Sequence, residues 1–157
     1  MAILDPIKPN ILAARIIPNV HPSFAAEMGL KPEQKSLALI TCDIDDCLYV
    51  SLDEATKKAE VEVVYAHSFY AGSAHASGPL SGEIIGILAG PNPAEVRAGM
   101  NACIEYATEY AYFLSANEEN SLAFFPHTIS RSGSYLSKEA GVPEGTPLAY
   151  LIAPPLE

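Results

Sequence analysis

Apolar residues recur along this chain with two periods. Short runs rich in branched side chains, bounded by turn formers, lie at 11–17, 36–42, 61–65, 83–89 and 148–152 and predict strands. Within 60–64, Val61 and Val63 alternate with Glu60 and Glu62, the period of a strand with one wet face. A longer period predicts helices. Asn92, Pro93 and Glu95 supply a cap, a first-turn proline and a reciprocal carboxylate. Val96, Met100, Cys103, Ile104, Ala107, Ala111 and Leu114 then keep helical spacing over about five turns. Ser51 followed by Glu54 has the spacing of a capping box, which predicts another helix continuing over 53–59 with Ser51 at its start.

The chain also matches itself at an offset of 111, the step from Leu37 to Leu148. At that shift 37–40 falls on 148–151, Ser23 and Phe24 fall on Ser134 and Tyr135, and Pro32 and Glu33 fall on Pro143 and Glu144. Separate agreements at one offset predict a duplicated unit. We place a first domain at 1–113 and the beginning of a second at 114–157. The second copy reaches only the strand that precedes the acidic turn of the first. Its remaining half is expected in further chain, and with it the partners of the strand at 148–152.

Composition narrows the partners. Apolar residues make up 49% of the chain and charged residues 18%, which supplies a core and argues against disorder. Nineteen acidic against nine basic side chains give a formal charge of -10, which repels phosphate backbones and anionic lipid. Nucleic acid and membrane are therefore not expected as partners. Residues 1–10 carry Asp5, Lys8 and two prolines in place of an apolar leader, and no segment reaches spanning length, so a cytosolic chain is expected. Cys42, Cys47 and Cys103 are an odd number with no second zinc pair, and they read as small buried apolar groups.

Candidate chemistry concentrates in Asp43, Asp45 and Asp46, in the turn after the strand at 36–42. This cluster lacks the glycine and distal Glu of an EF-hand, and no His or nucleophile adjoins it for acid–base catalysis. A solvated turn and a site for a cation or amine both remain open. The run of small residues at 70–83 is long for a turn, and reads either as a functional loop or as an ordinary flexible one. His67 and His75 are possible metal ligands with little support from spacing. The glycine and prolines at 90–93 read as helix capping, because no Lys accompanies them to neutralise phosphate. Tyr106, Tyr110, Tyr112 and Phe113 read as aromatic packing or a subunit contact.

Seven stretches taken in order are more specific: DEATK at 53–57, VEVVY at 61–65, YAG at 70–72, GPNPAE at 90–95, RAG at 97–99, GSYL at 133–136 and APPLE at 153–157. From near Asp5 to Glu157 the chain closely resembles the tandem-domain shell proteins of bacterial microcompartments, of the kind found in ethanolamine-utilisation organelles. The resemblance implies an α+β fold of circularly permuted tandem shell domains, a sheet flanked by helices, with the second domain incomplete in this chain. It implies homotrimers that mimic hexamers and tile with other shell proteins in a compartment shell in the cytoplasm, with no enzymatic activity and no cofactor. It further implies an acidic pore in each subunit linked to ethanolamine, and a larger three-fold passage that opens and closes. Carried over by position, the ethanolamine-binding pore residues are Asp45, Asp46, Glu83 and Phe113. An ammonium group suits such a set, since carboxylates offer it charge and acceptors and Phe113 offers a ring face or carbonyl. Acidic rings disfavour anions, and the small residues of 70–83 suit a moving gate. Two alternatives stand beside this reading. One is a soluble trimeric small-molecule or metal-binding regulatory domain with Asp43, Asp45, His67 and His75 as ligands. The other is a small amine or aldehyde enzyme with Asp45 or Glu83 as base, which lacks a cofactor fingerprint or nucleophile elbow.

Overall fold

In a computed structural model of the protein, the residues described are 2–69, 83–119 and 121–153. The elements in chain order are β1 Pro6–Ile7, β2 Ile11–Ile17, α1 Pro22–Glu27, β3 Ser36–Cys42, α2 Asp45–Lys58 and β4 Glu62–Ser68. They continue as β5 Ile84–Gly90, α3 Pro93–Glu109, β6 Phe113–Ser115, β7 Ala123–Ile129, α4 Ser134–Ala140 and β8 Leu148–Ile152. The strands form two four-stranded antiparallel sheets, ordered β2, β3, β5, β4 and β1, β6, β7, β8.

β3 is apolar from Leu37 to Ile40 because both of its faces are covered. Ala38, Ile40 and Cys42 pack with Ile84 and Leu88 against Leu48, Leu52, Val96 and Cys103 of the helices, while Leu37 faces Val20, Ile87 and Ala89 on the other side. Gly86 of β5 lets α2 approach, since a Cβ there would run into the side chain of Leu52. α3 begins as expected, with Asn92 Oδ1 accepting from the Glu95 N–H at 2.9 Å. Two details differ. The Glu95 carboxylate accepts from the Glu60 N–H at 2.7 Å, which ties the end of α2 to the start of α3. The helix also stops at Glu109, so Ala111 and Leu114 lie beyond it, in the second core and in β6.

α2 departs further from the pattern. It starts at Asp45, and Ser51 lies buried in its middle with Oγ donating to the Cys47 carbonyl at 2.6 Å. A serine with a carbonyl one turn back has an acceptor of its own and need not cap. Asp45 and Asp46, placed by sequence in a turn, occupy the first turn of this helix, where free N–H groups and the helix dipole favour carboxylates.

α2 also serves both cores. Leu48, Leu52 and Ala55 enter the first, while Cys47 and Val50 join Ile44, Phe113, Phe125, Ile129 and Leu136 in the second. On its far end the Asp53 carboxylate, 1% exposed, accepts from the N–H of Gly133 at 2.8 Å and of Leu136 at 2.9 Å. Thr56 Oγ1 accepts from the Ser134 N–H at 3.1 Å. The first turn of α4 is thus capped by another helix, and Gly133 must be glycine because a Cβ would meet Thr56 Oγ1 and the Asp53 carbonyl.

The internal repeat has a structural counterpart. β2, α1 and β3 form a strand, helix and strand, and β7, α4 and β8 repeat that order. Leu37 lies opposite Ile17 much as Leu148 lies opposite Ile129. β3 pairs with β5 on its other edge, whereas β8 has no second strand partner among the described residues. β1 crosses from the start of the chain into the second sheet, pairing with β6.

Candidate functional site

The register of the first sheet gathers one group of acids. Cys42 lies opposite Ile84 and Ile84 opposite Ser68, so β3 ends, β5 begins and β4 ends at the same edge. Asp43 and Asp45 follow β3 directly, and Glu83 immediately precedes β5. Asp45 Oδ2 accepts from Ser68 Oγ at 2.8 Å, and its Oδ1 accepts from the Asp46 N–H at 2.8 Å. The carboxylate is thereby oriented by two donors. Glu83 is half-buried, with its backbone carbonyl accepting from the Phe69 N–H at 2.6 Å. Asp43 holds the start of β2, accepting from the backbone and side-chain nitrogens of Asn10 at 2.7 and 2.8 Å.

Asp46 is held by the second sheet. Its Oδ1 accepts from the Tyr150 hydroxyl of β8 at 2.9 Å. Burial raises the pKa of Asp46, the like charge of Asp45 adds to the rise, and the Tyr150 hydrogen bond opposes it. Burial, then the charge of Asp46, pushes the Tyr150 phenol up, so it remains a proton donor. Phe113 is 2% exposed, with its ring stacked on Phe125 at 5.0 Å, and Phe125 meets the edge of Tyr150 at 5.8 Å. The ring of Phe113 therefore belongs to the second core, two rings behind Asp46.

The structure thus brings Asp45 and Glu83 to one end of the first sheet and joins Asp46 to β8. Ser68 and Tyr150 were missed by sequence reasoning. The one available signal was the repeat itself, in which Tyr150 stands where the first copy has Leu39.

His67 is exposed on β4, between the rings of Tyr65 and Phe69 at 6.0 and 5.8 Å. Among the described residues no group of three or more His, Cys, Asp or Glu is arranged to hold a metal ion. His75 and most of the loop at 70–83 lie outside the described residues. The three cysteines are buried free thiols, and burial pushes Cys42 up to about 12, consistent with their role as packing groups.

A separate titrating pair links α3 to β7, with Tyr106 Oη and His127 Nε2 2.8 Å apart. Burial, then nearby Lys57, lowers the pKa of His127, against an opposing pull from Glu54. Below the ordinary His value the unfolded chain therefore binds more protons than the folded one. The stability this confers is present at neutral pH and is lost as pH falls through the folded pKa. Melting temperature is expected to drop more between about pH 7 and about pH 5 in the wild type than in His127→Phe, where that part of the slope is gone. Equal slopes in thermal melts would refute the assignment.

The BMC domain family matches residues 36–118. The chain is 57% identical over 153 residues to the bacterial microcompartment shell protein EutL of Clostridium perfringens, covering 98% of this chain and 70% of that one. It is 52% identical over 157 residues to EutL of Salmonella typhimurium, covering 100% of this chain and 72% of the relative. The crystal structure of ethanolamine utilization protein EutL from Leptotrichia buccalis superimposes with a TM-score of 0.91 at 54% identity, over 98% of this chain and 71% of that one. No helix among the described residues is long and apolar enough to cross a membrane.

Proposed function

Since the chain belongs to the EutL family of bacterial microcompartment shell proteins, we propose that it builds homotrimeric, pseudohexameric tiles whose acidic, gated pores pass ethanolamine across the shell. Its place is the shell of the ethanolamine-utilisation compartment in the cytoplasm, alongside other shell proteins. The role is structural and selective, and no catalytic step is assigned to it.

The observation that supports the amine reading is the placement of Asp45 and Glu83 at the same end of the first sheet, with Ser68 orienting Asp45. A protonated amine has a compact charge and three donors, which converging carboxylates satisfy by attraction and hydrogen bonds together. An acidic passage admits such a cation and repels anions. Asp46, whose carboxyl feels the charge of Asp45, adds a third carboxylate to the proposed set, and Phe113 acts from behind through its stack on Phe125. We read 1–113 as the first shell domain and 114–157 as the beginning of the second.

Calorimetric titration with ethanolamine tests the site. Asp45→Asn is expected to weaken binding about tenfold or more, because a hydrogen bond to a charged group nets about 1.5 to 3 kcal/mol. Undiminished binding by that variant would place the amine elsewhere.

A further inference from the structure

We infer that Tyr150 is a positioning residue of the amine site, reaching from the second sheet to hold the Asp46 carboxylate toward its ionised, ligand-ready geometry. This inference rests on the amine reading given above. Its basis is a contact between residues 104 apart in the chain, the Tyr150 hydroxyl donating to Asp46 Oδ1 at 2.9 Å.

The phenol is itself fixed. Its ring meets Phe125 edge-on at 5.8 Å and 70°, and Phe125 is stacked between Phe113 at 5.0 Å and His127 at 5.1 Å. A donor on a ring packed in this way keeps its direction, so the hydrogen bond orients Asp46 with little loss of further side-chain freedom. Asp46 needs such a partner because it is half-buried next to Asp45, and two neighbouring carboxylates resist joint ionisation. Bearing on Asp46 electrostatically are Asp45, Cys47 and Tyr49 from α2 and Tyr150 from β8. Of these, Tyr150 donates a hydrogen bond that favours the anion, and it loses no proton in doing so. A neutral Asp46 would offer a cation far less, so Tyr150 widens the pH range over which the pair attracts an amine. Tyr150 stands in the repeat where the first copy has the aliphatic Leu39, as expected if the second unit had been adapted to serve the acids of the first.

The test compares the assembled wild-type protein with Tyr150→Phe, which keeps the ring and its packing and removes only the hydroxyl. Carboxyl-carbon NMR of aspartate-labelled protein should show Asp46 titrating at higher pH in the variant, and an unchanged Asp46 titration would overturn the inference. Ethanolamine affinity measured by calorimetry should fall about fivefold in Tyr150→Phe, with a larger loss in mildly acidic buffer. In an Asp46→Asn background the same Tyr150 change should have little further effect. An equal loss in both backgrounds would mean that Tyr150 acts through general packing, and would also overturn the inference. If the wild type itself binds no ethanolamine, the amine reading fails, and the NMR titration still decides whether Tyr150 controls Asp46.

Discussion

Replacing Asp53 by alanine is expected to lower folding stability by about 3 to 5 kcal/mol, read from urea unfolding. The carboxylate is buried and receives the Gly133 and Leu136 N–H groups. Its removal leaves two buried donors without an acceptor, each costing about 1 to 3 kcal/mol. The loss should be local at first. α4 would loosen from α2, and amide exchange would quicken across α4 and β8 before it changed in the first sheet. Asp53→Asn keeps one acceptor oxygen but turns an NH₂ toward a donor, so an intermediate loss is expected. Gly133→Ala should act from the other side of the same contact, because its Cβ would separate Thr56 and Asp53 from the helix start. A change below about 1 kcal/mol in Asp53→Ala would show that water or a relaxed backbone satisfies those amides.

A loss of similar size, about 3 to 5 kcal/mol, is expected for Phe125→Ala. This ring is 1% exposed and lies at the centre of the second core, against Phe113, His127 and Tyr150. Truncation removes its transfer free energy and opens a cavity among aromatic rings too large to close over it. Phe125→Leu refills most of that volume and should cost about 1.5 kcal/mol or less. The same series has a functional readout, because Phe125 supports the ring that directs the Tyr150 hydroxyl. Ethanolamine affinity should fall in Phe125→Ala more than in Phe125→Leu. A stability loss with unaltered affinity would separate the second core from the acid group.

The first sheet was largely legible in the sequence, and the reason is burial. β2 and β3 follow the predicted runs, as does β8 in the other sheet, and β4 and β5 begin one residue later than expected, with β4 running on to Ser68, because branched apolar side chains between turn formers have few other conformations to adopt. The second sheet was less legible. β7 carries Pro126, which demotes a run that would otherwise read as a strand, and β1 and β6 are too short to show a period. The start of α2 was hidden for another reason. Cys47 and Val50 face one core while Leu48 and Leu52 face the other, so the helix shows no single apolar stripe.

At the candidate site the acids could be singled out, but their supports could not. Asp45 is oriented by a residue 23 positions away, Asp46 by one 104 away, and the cap that Asp53 provides acts across 80. Local spacing carries no record of such partners. They are set by the sheet register and by the double packing of α2.

The most direct test of the account is a crystal structure of the assembled protein grown with ethanolamine. The expected result is a three-fold trimer with the amine nitrogen about 3 Å from the carboxylates of Asp45 and Glu83. A lattice of monomers, or a trimer holding the amine away from both residues, would contradict it.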